Sequence, residues 1–421
     1  MSEFKSAQDL DKKDPLAEFR THFVLNANEI YMDGNSLGKL PKAAQKAVQN
    51  TVDKQWGKRL IRSWNEAWLE LPSRLAEKYA KLLQVAKEEL IIGESTSVRL
   101  YQVLHALVQS DLFPKHLGTD NLNFPTDLYV MEGIAQDFSI GEITQIDYNQ
   151  EIVADLEILK TTIKEKPGIY CLSLVSYKSS YLYPMKVLNL WAEQHRSIIV
   201  WDLSHAVGAV TIDLKETAAK IAVGCSYKYM NGGPGAPAFL FVQKALQKKL
   251  SNPIQGWFGH QNPFAFESDY YPNQGIDRFA SGTPPILSLQ AMEAGVDIAL
   301  NAGIKNIRKK SVLQSEFFLE GVRKKLLPLD YQLESPTDPT QRGSHVTLSH
   351  PDSWQICQAL LQGTSKDSIV IPDFRPPGFI RFAMTPLYTR FIDLQKVINR
   401  LEAIVVSKEY QKFDTNKPKV T

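Results

Sequence analysis

The stretch "SIIVWDLSHAVGAVTIDLKETAAKIAVGCSYKYMNGGPGAPAFLFV" (197–242) decides the fold. It contains three short apolar runs, SIIVWDL (197–203), IAVGCS (221–226) and APAFLFV (236–242). Each is too short for an independent helix and too uniformly apolar for a strand with one wet face, so each reads as a strand buried on both faces. The polar residues gather at the strand ends. Asp202 and His205 follow the first run, Tyr227 and Lys228 follow the second, and Gly-Gly-Pro-Gly (232–235) stands behind the lysine.

Working outward, LYVMEG (128–133) and IYCLSLVS (169–176) read as further buried strands, and PMKVLNLWAEQH (184–195) has a helical pattern. Strands alternating with helices predict an α/β fold: a large domain with a mostly parallel sheet flanked by helices. Residues 42 to 87 are spaced helically, and ESTSVRLYQVLHALVQSDLF (94–113) sets Ser and Thr before an amphipathic run, the signature of a helix N-terminus. Past Pro285 the pattern changes to two long helices, about 286–302 and 305–325. Short strands follow at 331–335, 344–349, 368–374 and 379–384, then a helix at 391–407. The division expected is an N-terminal segment (1–45), a large domain (46–309) and a smaller α+β C-terminal domain (310–421) with a frayed tail, QKFDTNKPKVT.

The chain's 421 residues suffice for two or three domains, and 48 Lys+Arg against 46 Asp+Glu leave a net charge of +2. No strong field draws nucleic acid or an anionic membrane, so a small molecule is the expected partner. The three cysteines are odd in number, and Cys171 and Cys225 lie in apolar runs, which suits a reducing compartment. MSEFKSAQDLDKKDP (1–15) has no apolar leader core and no stretch reaches about 18 apolar residues, so the expected location is cytoplasmic.

In open α/β sheets ligands collect outside the carboxyl ends of the strands. Ser176, ending LSLVS, and Asp127, placed just before a strand in NFPTDLYV (123–130), join the four residues above. Singly each has an ordinary reading: Asp202 as a helix cap, His205 as a structural histidine, Lys228 as a solvated lysine. Together they place a lysine between an apolar strand and a glycine loop, where burial lowers its pKa toward nucleophile or base. Neither G-x-G-x-x-G nor G-x-x-x-x-G-K-[ST] occurs, and no Cys/His cluster completes a metal site around Asp202 and His205.

YMDGNSLG (31–38), WDLSHAVG (201–208), CSYKYMNGGPG (225–235), GWFGH (256–260), SGTPPI (281–286) and IRFAMTPLY (380–388) resemble, in order, the motif series of the kynureninase family. These are pyridoxal 5'-phosphate enzymes of the aspartate-aminotransferase fold, and the resemblance runs from about 30 to 400. It implies that Lys228 bonds the cofactor covalently and that Asp202 faces the ring nitrogen. Tyr227 and His205 match cofactor-site residues, and Thr96 and Ser97 match the phosphate pair. Phe124, Pro125, Thr126 and Asp127 match the segment that stacks on and hydrogen-bonds the ring. Ser176, Trp257 and Thr283 complete the cofactor set, the last two coming from the neighbouring subunit of a homodimer. Arg381 matches the arginine that holds the substrate α-carboxylate, and Ser36 and Trp64 match substrate-side positions.

The implied reaction is hydrolysis of the Cβ–Cγ bond of L-kynurenine to anthranilate and L-alanine, a step of tryptophan catabolism by the kynurenine route, with NAD biosynthesis and anthranilate catabolism as the alternative pathways it could serve. Lys228 moves the Cα proton and Tyr227 is the candidate general acid. Trp64 and Thr283 match the bacterial pattern, which implies a preference for L-kynurenine over 3-hydroxykynurenine. Two other readings compete. A cysteine desulfurase-like lyase shares the fold but needs a mobile thiol, whereas Cys171 and Cys225 read as strand residues and Cys357 lies in the helical SWQICQALLQ (353–362). A non-catalytic binding protein would have had no use for Lys228, Asp202 and Arg381 together.

Overall fold

The computed structural model describes residues 6–149, 152–364 and 368–414. In chain order its strands are β1 (Glu29–Tyr31), β2 (Leu90–Ile92), β3 (Leu117–Asp120), β4 (Thr144–Ile146), β5 (Ile169–Ser173), β6 (Ile198–Asp202), β7 (Ile221–Gly224), β8 (Phe239–Val242), β9 (Gln332–Leu333), β10 (His345–Ser349), β11 (Ile369–Ile371), β12 (Asp373–Arg375) and β13 (Phe379–Ala383). Seven of them form the central sheet in the order β2-β8-β7-β6-β5-β3-β4. It is parallel from β7 through β4, while β8 runs antiparallel to both β7 and β2.

Both faces of this sheet are covered, as its apolar strands require. Tyr170, Leu172, Ile199 and Trp201 join one core with the helices Leu71–Leu83 and Ile286–Ala302. The alternate residues Ile169, Cys171, Ile198 and Val200 join a second core with the helices Thr96–Gln109 and Pro125–Asp137. Every residue of β5 and β6 is buried, at about 1.5–3 kcal/mol for each large side chain fully removed from water. The C-terminal region packs the helices Ile304–Gly321, Ser353–Gln362 and Phe391–Val406 against an antiparallel sheet of order β12-β13-β10-β9. Phe318, Leu348, Phe382 and Leu401 lie in its core.

The N-terminal segment is sewn into this C-terminal region. Strand β1 pairs in parallel with β11, and Asp11 accepts from the backbone N–H groups of Phe391 and Ile392 at 2.7 and 3.0 Å, capping the last long helix. Lys310 donates to Asp14 at 2.6 Å.

Three expectations need correcting. LYVMEG (128–133) lies inside the helix Pro125–Asp137. Its Tyr and Val favour strands, but Pro125 at the first helical turn starts a helix, and Met131, Ile134 and Ala135 line up on one buried face while Tyr129 is exposed. Asp127 accordingly sits in the first turn of that helix and not before a strand. Asp202 caps no helix: its carboxylate accepts from the N–H and hydroxyl of Ser204, at 2.8 and 2.6 Å, in a run of turns. Strands β2, β3 and β4, of three or four residues each, had gone unrecognised. Part of the predicted tail, 415–421, lies outside the described residues.

Candidate active site

The carboxyl ends of β5, β6 and β7 deliver the reactive groups. Asp202 is the last residue of β6, in register with Ser173 of β5 and Val223 of β7. Lys228 follows β7 by one turn, and its Nζ lies 3.3 Å from Nδ1 and 3.2 Å from Nε2 of His205. The rings of Phe124 and Tyr227 each lie with their centroids 5.8 Å from that nitrogen. Burial lowers the Lys228 pKa; Cys225 and Asp202 resist, and Arg381 and Arg375 reinforce the fall. His205 is held well below the ordinary imidazole value by burial and by Lys228, so it faces the lysine as a neutral acceptor.

Opposite the lysine stand two buried carboxylates. Burial raises the pKa of Asp202 against the pull of Lys228, and it raises that of Asp127 well above the ordinary carboxylate value, with Asp202 adding repulsion. Asn123 organises the approach to them. Its amide N–H donates to Thr119 Oγ1 and the Cys171 carbonyl, both at 3.0 Å, and its oxygen accepts from the Phe124 N–H at 2.9 Å. Phe124 is thereby held at the helix N-cap, edge-on to Tyr177 with ring centroids 5.2 Å apart.

A cavity of about 860 Å³ opens beside this cluster. Thr96 and Ser97, in the first turn of a helix whose N-cap Ser95 accepts from the Val98 N–H, line it together with Tyr227, Phe258 and Thr283. Unpaired N–H groups at a helix start favour an anion there. Ser176 is fully buried after β5, and its hydroxyl has no hydrogen-bond partner. Trp257 and Trp64 do not line this cavity. Trp257 joins a cluster with Phe258, Phe264 and Phe266, and Trp64 packs on Trp68 and Phe258.

Arg381 on β13 forms the far end and is almost completely buried. Its Nε and Nη2 engage one oxygen of Asp373, Nη1 donates to the Tyr177 carbonyl, and Nη2 lies 3.3 Å from the Ser36 hydroxyl. With its amide oriented so that the oxygen meets the donors, Asn35 accepts from the same guanidinium at 3.3 Å. Arg375 donates to Asp373 at 3.1 Å and reaches Ser36 at 3.5 Å. Ser36 arrives on the segment that follows β1, and Gly38 shows how tightly that segment seats. Its N–H donates to the Tyr227 carbonyl at 2.8 Å, and a Cβ there would fall 2.4 Å from the Lys228 carbonyl oxygen.

The structure thus brings Lys228, Asp202, His205, Asp127, Phe124 and Tyr227 together, sets Thr96, Ser97 and Thr283 on one cavity, and joins Ser36 to Arg381. Sequence reasoning missed Asn35, Asp33, Asn123, His345, Asp373 and Arg375. His345 is fully buried, with its ring centroid 6.1 Å from that of His205, and burial and Arg381 hold its pKa well below the ordinary imidazole value. Asp33 and Asn35 lie inside YMDGNSLG and Asn123 opens NFPTDLYV, so they could have been taken with Ser36 and Phe124; nothing local marks the other three.

Residues 30–352 match the aminotransferase class-V family, and residues 307–401 match the kynureninase C-terminal domain. Among curated relatives, kynureninase of Pseudomonas fluorescens is 37% identical over 406 residues, 95% of this chain and 95% of its own length. Kynureninase of Burkholderia mallei is 37% identical over 407 residues, covering 96% and 95%. Among solved structures, the cysteine desulfurase CsdA of Escherichia coli superposes with a TM-score of 0.78 at 14% identity, over 95% of this chain and 99% of its own. A C-DES mutant with glycine covalently linked to its PLP cofactor gives 0.77 at 15% identity, over 91% and 98%. These distant likenesses establish the fold alone.

Proposed function

We infer that this site hydrolyses L-kynurenine, because the chain belongs to the kynureninase family of pyridoxal-phosphate enzymes and carries a buried, cation-suppressing lysine pocket facing a fixed arginine. The observation that carries the reading is the placement of Lys228, with its pKa lowered by burial, against His205 and the carboxylates of Asp202 and Asp127. Two carboxylates raised by burial are short of a positive partner, which a protonated pyridine nitrogen offers. The helix start at Thr96 and Ser97 suits the phosphate end, and the buried Ser176 hydroxyl, without a partner after β5, suits a polar group of the ring. Pyridoxal phosphate fits these residues. When bound, it supplies an electron sink for negative charge developing at the substrate Cα.

The chain's own groups do the rest. Asp202 would hold a proton at the ring nitrogen, and Phe124 would stack on the ring. Lys228 Nζ, whose pKa burial lowers, would hold the cofactor and then carry the proton away from Cα. Arg381 would hold the α-carboxylate and so fix the Cα–H bond relative to Lys228. Tyr227, whose phenol burial keeps protonated, would donate to a departing group. Water adds across the Cβ–Cγ bond, and the products are anthranilate and L-alanine. All three cysteines are buried, and burial raises Cys171 and Cys225 and pushes Cys357 up to about 12, which leaves no mobile thiolate for desulfurase chemistry. The direct test is purified protein with cofactor and L-kynurenine: anthranilate fluorescence should rise with an equal yield of alanine. Absence of both would refute the reading.

The active form proposed is a homodimer in which Trp257 and Thr283 reach the neighbouring site, Thr283 from the rim of the cavity that it also lines in its own chain. Support comes from the exposed Phe264 and Phe266 beside Trp257, and from an apolar groove lined by Trp56, Leu60, Ile61 and Leu287. Mixing Lys228→Ala chains with Thr283→Trp chains should restore activity in heterodimers, and no recovery would place the whole site in one chain. The division into a large domain (46–309) and a small one (310–421) is supported by their separate sheets. Among the described residues no helix is long and apolar enough to cross a membrane, and a cytoplasmic location is proposed.

A further inference from the structure

At the arginine end, two guanidiniums share two carboxylates unequally. Asp373 takes both Arg381 and Arg375, while Asp33 sits on the turn that presents Asn35 and Ser36 to the same cluster. One Asp33 oxygen, Oδ1, is buried with no hydrogen-bond partner. The turn is fixed, since the Asp33 carbonyl accepts from the N–H groups of Ser36 and Leu37 at 3.0 and 3.1 Å. Next to it, Gly34 is pressed so close to Thr385 and Tyr388 that a Cβ would fall 2.4 and 2.5 Å from them.

We propose that Asp33 must carry a proton for the substrate α-carboxylate to settle on Arg381, so that each substrate bound above neutral pH takes up a proton at this residue. This rests on the reading of Arg381 as the carboxylate anchor. The reason is charge. Arg381 and Arg375 against Asp373 leave one positive charge over, which either an ionised Asp33 or an arriving carboxylate can balance. Both together put a net negative charge into a site with little water to screen it. The groups facing Asp33 are Asp373 and Arg375 on β12, Arg381 on β13, Tyr31 on β1, Tyr388 beyond β13, Tyr229 beside Lys228, and Cys357 on the helix Ser353–Gln362. The tyrosines and the cysteine stay neutral, so only the two carboxylates and two guanidiniums enter the count. Burial and Asp373 already raise Asp33 to about 7 against the pull of Ser36, Arg381 and Arg375. A third carboxylate raises it further.

The test uses the holoenzyme and L-alanine, the carboxylate product, as competitor of L-kynurenine from acid to alkaline pH. The wild-type inhibition constant should weaken by up to about tenfold per pH unit above the Asp33 transition. In Asp33→Asn it should lose that slope and stay at the tight value seen in acid. On the unaltered protein, calorimetry in two buffers of different ionisation enthalpy above neutral pH should record about one proton more taken up per alanine than in Asp33→Asn. A slope that survives in Asp33→Asn, or wild-type binding without proton uptake, overturns the proposal. If alanine fails to compete at any pH and Arg381→Lys leaves KM unmoved, the anchor assignment falls with it.

Discussion

Lys228 and Arg381 are both buried basic side chains, one just past the end of β7 and one in the middle of β13, yet the protein surrounds them in opposite ways. Around Lys228 the contacts are an imidazole at 3.2 Å, the faces of Phe124 and Tyr227, and carboxylates that act from a distance. Around Arg381 the guanidinium is anchored by Asp373, the Tyr177 carbonyl and Ser36. The first arrangement makes a proton easy to lose; the second makes a side chain hard to move. A group that reacts needs a shifted pKa, and a group that orients needs a rigid fork, so one site contains an under-satisfied cation and an over-satisfied one.

The contrast breaks most completely at the lysine. Lys228→Ala should abolish turnover and the borohydride-fixed bond to cofactor, while noncovalent cofactor binding survives through Asp202 and the helix start at Thr96. A cofactor still fixed by borohydride in that variant, seen by mass spectrometry, would move the covalent role elsewhere. Arg381→Lys keeps the charge and removes the fork. A loss of about 1.5–3 kcal/mol, roughly ten- to hundredfold in kcat/KM, is expected, divided between a higher KM and a lower kcat. If KM alone shifts, the arginine binds without orienting, and the distinction drawn here weakens.

The smallest effect is expected at the aryl end, which has neither character. There, Trp64 and Thr283 should favour L-kynurenine over 3-hydroxykynurenine, because a ring hydroxyl left unpaired costs about 1–3 kcal/mol. The double change Trp64→His and Thr283→Asn should shrink or reverse that ratio of kcat/KM. Equal efficiency of the unaltered enzyme on both substrates would remove the idea, and would fit Trp64 as a packing residue against Trp68 and Phe258.

The same contrast governs what could be read from the sequence. The lysine pocket is built from consecutive strand ends of one sheet, so apolar runs and the polar residues that terminate them were enough to find Asp202, His205 and Lys228. The arginine network draws on both ends of the chain, with Asp33, Asn35 and Ser36 meeting Asp373, Arg375 and Arg381. No local pattern announces a partner that far away, and only Ser36 and Arg381 were found, through family motifs. The strands were legible where both faces are buried over four or five residues, as in β5 and β6. They failed where the run is only three residues, as in β2 and β4, where a buried strand carries one apolar side chain, as in LGTD of β3, and at 128–133, where strand-forming side chains lost to a proline-started helix with one buried face.

The seat that Gly38 occupies against the Lys228 loop also has a meaning for synthesis. The ribbon from Glu29 to Gly38 leaves the ribosome before its partners, which arrive in instalments. The Lys228 loop must form before Gly38 can dock, and Ile369–Ile371 and Arg381 come later still. A nascent chain can close the central sheet while this ribbon waits, its apolar Ile30 and Met32 without the core they later join. Until residues near 380 emerge, the lysine pocket lacks one wall. Productive cofactor capture is therefore an event of the finished polypeptide, and a chain truncated before β11 should fold much of its sheet and still leave its chemistry open to water.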